Sequence, residues 1–163
     1  MNKQKVVFLF LALILPICIF LFLKFFGKNE FSVQPLFVDV YPEIQDGCQA
    51  IQALPYHIPD SIKEQLPFEN DSLVIVYTGE ITNESSNLLR RIETEFMQFP
   101  VVILMLPNTD KTRYWKNCIF FLRNPFDVVL LDRKGMIRGQ YESAKREEMD
   151  RLSTELSIML KQY

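Results

Sequence analysis

Three cysteines and a single histidine are the residues of this 163-residue chain that could do thiol or soft-metal chemistry. Cys18 lies inside a long apolar run, Cys48 and His57 fall in a proline-rich stretch, and Cys118 stands far downstream in Cys118-Ile119-Phe120-Phe121-Leu122. A catalytic or metal-binding histidine needs convergent partners. His57, in Pro55-Tyr56-His57-Ile58-Pro59, has none nearby and reads as a loop residue packed beside Tyr56. Cys118 taken alone reads as a small buried hydrophobe. In an oxidising compartment Cys48 and Cys118 have one intramolecular pairing open to them, which requires the proline-rich stretch to pack against residues 108–118. Other chemical signals dissolve on inspection. Gly79, in Thr78-Gly79-Glu80-Ile81-Thr82, lacks the Lys of a phosphate loop. Glu147, Glu148 and Asp150 point around a helix rather than at one ion, and Trp115 reads as a packed aromatic. No catalytic residue, metal or cofactor is expected.

The elements that must position these residues begin with an anchor. Val6 to Leu23 is a run of 18 residues without a charge, at the lower limit for crossing a hydrocarbon core of about 30 Å. A cleaved signal peptide would end its apolar region in small residues, whereas this run continues into Lys24-Phe25-Phe26. A lipoprotein signal would need a small residue where Ile17 precedes Cys18. Residues 1–27 are therefore expected to form a single membrane anchor with its N-terminus inside and residues 29–163 outside the cytoplasm. Four of the 18 basic residues lie in 3–28, which leaves 14 against 20 acidic residues and a formal charge of −6 beyond it. Nothing in that balance invites nucleic acid.

Residues 28–71 form a lead-in. Five of the nine prolines lie here, excluding a long helix, and 36–41 is predicted as an edge strand. Residues 72–163 then read as an α/β domain. Leu73 to Tyr77 and Val101 to Leu106 are continuous apolar runs of strand length. Between them Leu88, Leu89, Ile92 and Phe96 share a helical face, with Thr82 or Asn83 as the cap. Residues 108–117 predict an irregular helical turn. Val128 to Leu131 and 136–141 flank Asp132-Arg133-Lys134-Gly135, a hairpin turn with the required φ > 0 residue. Met149, Leu152, Leu156, Met159 and Leu160 predict a last helix from Ser143, its expected cap, to Lys161.

A βαβ unit, then a hairpin and a helix, is the order of a thioredoxin-like sandwich. The chain resembles most the Sco/SenC family of membrane-anchored copper chaperones for cytochrome oxidase. The resemblance covers roughly residues 55–163 and rests on Tyr56-His57-Ile58-Pro59-Asp60, on Leu73 to Tyr77, and on Val129-Leu130-Leu131-Asp132-Arg133-Lys134-Gly135 before the long helix. It implies copper binding by a Cys-x-x-x-Cys after the first strand and a His before the hairpin. The corresponding positions here hold Thr82 and Ser86, or Thr78 and Thr82 in the helix-anchored register, and Asn124. Hydroxyls neither form disulfides nor serve well as copper ligands. Pro125 falls one or two residues before the place of the thioredoxin cis-proline. The expected function is thus an anchored, extracytoplasmic, non-catalytic binding or assembly module with a protein partner, such as a respiratory or envelope complex. The alternative is a copper or thiol-redox protein using a displaced Cys48, Cys118 and His57 site.

Overall fold

The structure is a computed structural model that describes residues 3–26, 32–51, 53–68 and 72–161. The chain divides into two units, Met1–Ser32 and Val33–Tyr163. In the first, helix α1 spans Lys3–Phe26, with Pro16 inside it. Its 24 residues would measure about 36 Å. Among the described residues no helix is long and apolar enough to cross a membrane. The side chains at 3, 5–11, 23, 25 and 26 lie outside those residues, so the unbroken apolar run belongs to the sequence alone. Residues 27–31, part of the expected junction to the lead-in, lie outside them too.

The second unit is mixed α/β. After a short helix α2 (Asp60–Lys63) come β1 (Leu73–Tyr77), α3 (Asn83–Glu95), β2 (Val101–Met105) and α4 (Asp110–Tyr114). A π-helical turn (Trp115–Ile119), β3 (Val128–Leu131), β4 (Ile137–Tyr141) and α5 (Arg146–Lys161) complete it. The four strands form one sheet in the order β2-β1-β3-β4, with β1 and β2 parallel and the other neighbours antiparallel. Both faces are covered, which is why β1 and β3 are continuous apolar runs rather than alternating ones. Leu73, Ile75 and Tyr77 pack with Val128, Leu130 and residues of α3 and α5, including Leu89, Ile92, Met149 and Leu156. Val74 and Val76, with Val129, Leu131 and Ile137, face Tyr56, Ile58 and Leu66 of the lead-in and the aromatic run from Trp115 to Phe121.

The lead-in belongs to this unit because it supplies that second covering layer. It also closes one sheet edge: the Leu36 amide donates to Ile137 O at 2.7 Å and the Ile58 amide to Gly135 O at 3.0 Å. The expected edge strand at 36–41 does not form. Phe37 adopts φ 58°, which turns the chain after a single contact with β4, and residues 36–40 are bends. Phe37 O instead accepts from the Tyr56 amide at 3.0 Å.

The hairpin turn is built around Asp132, a carboxylate only 1% exposed. It accepts from the amides of Lys134 at 2.9 Å and Met136 at 2.8 Å, while Gly135 takes φ 80°. The pairing slips between Leu130 and Leu131, so that Leu130 opposes Gly139 and Leu131 opposes Ile137. Arg138 is the extra residue of that bulge, and bulges re-aim side chains. Its guanidinium reaches Asp132 at 2.8 and 2.9 Å and donates to Val33 O at 2.6 Å.

Ser143 does not cap the last helix. Its amide and hydroxyl both donate to Asp127, at 2.7 and 2.6 Å, so α5 begins at Arg146. Asp127 thereby joins the start of β3 to the end of β4.

Two buried tyrosines, Tyr56 and Tyr141, tie stability to alkaline pH. Desolvation raises both hydroxyls above their ordinary value, and Tyr141 is raised further by donating to Glu155 at 2.5 Å. The native state therefore holds these protons after the unfolded chain has begun to release them near pH 10. Stability from this source is complete below about pH 10 and falls above it, by up to about 1.4 kcal/mol per pH unit for each group. Urea unfolding at pH 9 and 11 measures the loss, and Tyr141→Phe should remove part of the slope. An unchanged midpoint across that interval would contradict the assignment.

Candidate functional site

The turn between β1 and α3 is where a site at the end of a parallel strand would sit, and here its polar groups are spent on the fold. The Thr78 amide and hydroxyl both donate to Asp127 O, at 2.8 and 3.1 Å. The Tyr77 hydroxyl folds back to donate to Glu80 O at 2.5 Å. Gly79 is required by crowding: a Cβ there would lie 2.6 Å from the Asp127 carboxylate and 2.8 Å from the Tyr77 hydroxyl. Thr82 is the N-cap of α3. Its hydroxyl accepts from the Ser85 amide at 3.1 Å, and the Ser85 hydroxyl accepts from the Thr82 amide at 3.0 Å. Ser86 is half-buried in the first turn. Asn124 is exposed on the loop before β3, and its peptide bond to Pro125 is cis.

None of these groups is a nucleophile with a base beside it. Thr82 and Ser85 satisfy helix-end amides that would otherwise lack partners. Asp127, which the sequence reading passed over, is the organising acid of the region. The signal for it was an acid placed at the mouth of a buried strand, a position where a carboxylate needs donors.

A second location is a cleft of about 400 Å³ between the lead-in and the helical turns after β2. Its walls include Gln49, Ile51, Pro55 and His57 on one side and Tyr114, Cys118, Ile119 and Phe121 on the other. The wall is fixed from within, since the Tyr56 hydroxyl donates to Ile119 O at 2.9 Å and its ring meets Phe121 edge-on at 4.9 Å between centroids. Cys48 and Cys118 are joined in a disulfide with Cα atoms 5.2 Å apart, within the range such a bond requires. Cys118 therefore does not sit as a free buried thiol. Among the described residues Cys18 is the free cysteine.

His57 opens onto the same cleft as Cys118. Its Nδ1 lies 2.9 Å from Pro55 O, and because a carbonyl only accepts, Nδ1 is the donor of that bond. Of the displaced set, Cys118 and His57 thus line the same cleft from opposite walls, while Cys48 is joined to it through its bond to Cys118. Among the described residues no group of three or more His, Cys, Asp and Glu is placed to hold a metal ion. Trp115 packs as expected, 5% exposed and edge-on to Phe120. Glu148 and Asp150 pair on the surface with Arg151 and with Arg91 and Arg146.

No protein-family model matches the chain, and no curated protein matches it in sequence.

Proposed function

We propose that this chain is a membrane-anchored, thioredoxin-like protein of Sco/SenC type without a redox or copper site. It acts outside the cytoplasm as a non-catalytic binding or assembly module for a respiratory or envelope protein complex. The strand order β2-β1-β3-β4, with a parallel first pair and an antiparallel hairpin followed by α5, supports the thioredoxin-like reading. Val6 to Leu23 supports the anchor. The observation that carries the loss of chemistry is the commitment of Thr78 and Thr82 to backbone hydrogen bonds where thiolates would have to stand. A hydroxyl engaged in this way neither exchanges disulfides nor holds Cu(I).

A displaced site is the second reading, favoured by the one cleft that Cys118 and His57 both line. Both cysteines are engaged in the disulfide, so such a site would first need reduction to thiols. Titrating the reduced full-length chain, carrying Cys18→Ser, with Cu(I) against a competing chelator separates the readings. Negligible binding is expected. Stoichiometric binding that survives Cys48→Ser and Cys118→Ser would overturn the proposal, and binding abolished by either change would transfer the function to the displaced site.

A further inference from the structure

We propose that the β2 edge of the sheet is a pairing surface for a second copy of this chain, joined antiparallel to make one continuous sheet across a two-fold axis. The inference stands on the edge itself and not on the proposed function. Leu73 donates to Pro100 O, and Leu106 donates to Tyr77 O. In a parallel ladder the inward and outward residues alternate. The Pro100 carbonyl and the amides and carbonyls of Val102, Leu104 and Leu106 therefore face β1, while those of Ile103 and Met105 and the Val101 carbonyl face away, the Val101 amide donating to Phe99 O at 2.8 Å. At the opposite edge the lead-in meets β4 through the Leu36 amide and the turn before it through the Ile58 amide. Among the described residues no strand lies beyond β2.

Proteins defend such an edge with a charge, a bulge or an internal proline. Here the 14 residues from Phe96 to Thr109 carry no charge, and β2 pairs with β1 in unbroken register. The surface beside it is apolar as well: Met97, Phe99 and Met105 are 76%, 50% and 44% exposed. Pro100 and Pro107 bound the strand without interrupting it.

The occupant follows from self-complementarity. In an antiparallel pair centred on Ile103, the two Ile103 residues exchange amide and carbonyl, and each Met105 amide meets the other copy's Val101 carbonyl. Phe99 then falls opposite Pro107, and Pro100 opposite Leu106. Every opposed pair is apolar, with no like charges juxtaposed, although the domain as a whole carries a formal charge of −6. A partner of different sequence would be selected by charge or by a pocket, and this edge offers neither. The isologous arrangement closes on itself and leaves neither copy's β2 edge open.

Met105→Pro tests it, because the amide removed is the outward one and no bond to β1 is lost. Light scattering of the full-length chain in detergent, with Cys18→Ser as background, should give a dimer at micromolar concentration. Met105→Pro should dissociate at a concentration at least about tenfold higher, with an unchanged circular dichroism spectrum. Met105→Lys, a change confined to the exposed end of the edge, decides the matter should the proline variant misfold. Val101→Cys combined with Met105→Cys should cross-link between chains with a short bismaleimide. A monomeric parent, or a dimer that neither Met105 variant weakens, overturns the proposal.

Discussion

Asp132→Ala is expected to lower the stability of the domain by about 3–5 kcal/mol, the range for removing one partner of a buried ion pair. The carboxylate is 1% exposed and the Arg138 side chain 16% exposed, so water cannot replace what is lost. Four donors converge on Asp132: two backbone amides of the turn and two nitrogens of Arg138. Alanine leaves the Met136 amide and a guanidinium without their acceptor at the bulge between β3 and β4. It also loosens the lead-in, because the same guanidinium holds Val33 O. Asp132→Asn keeps the shape and one carbonyl oxygen while turning an amide toward Arg138, and should fall between parent and alanine. Denaturant unfolding reads both variants. A loss below about 1 kcal/mol for alanine would place this pair with the weak surface pairs.

Breaking the disulfide is the other large effect. Cys48 and Cys118 are 70 residues apart in sequence, and in the chain-entropy account a loop of that length constrains the unfolded state by about 4 kcal/mol. Cys48→Ser, or reduction of the parent by a dithiol, should therefore lower the unfolding free energy by about 2–4 kcal/mol, and reductant should have no further effect on the serine variant. The loss should also be uneven. The lead-in around Cys48 is otherwise held by the Arg123–Glu43 ion pair, whose side chains are 49% and 79% exposed, a kind worth little. Amide exchange near Cys48 should then rise well before exchange in β1 does. If reduction leaves the unfolding midpoint unchanged, the bond ties down a segment that the packing of Tyr56 and Ile58 already holds.

Local patterning alone determined the strands and helices of residues 72–161. Leu73–Tyr77 and Val128–Leu131 are uniformly apolar because both sheet faces are covered. The helical spacing of Leu89 and Ile92, and of Met149, Leu152, Leu156 and Met159, reports one buried face each. The absence of cysteine from the β1–α3 turn was equally legible, because a missing residue type needs no structure to be seen.

What tertiary structure decided were the partners of residues far apart in the chain. Thr78 could be seen to lack a thiol, but its engagement with Asp127, 49 residues away, could not. Ser143 carries the composition of a helix cap, and only the arrival of Asp127 diverted it. The predicted strand at 36–41 failed for a related reason. Its composition suits an edge, but one residue, Phe37 at φ 58°, redirects the chain so that its ring meets Phe121, a packing choice that short-range propensity does not contain. Cys48, Cys118 and His57 were visible as reactive types from the start. Their assembly into a disulfide and a cleft wall depends on the lead-in folding across the sheet onto the turns after β2, and that path is set by the burial of Tyr56, Ile58 and Leu66 together.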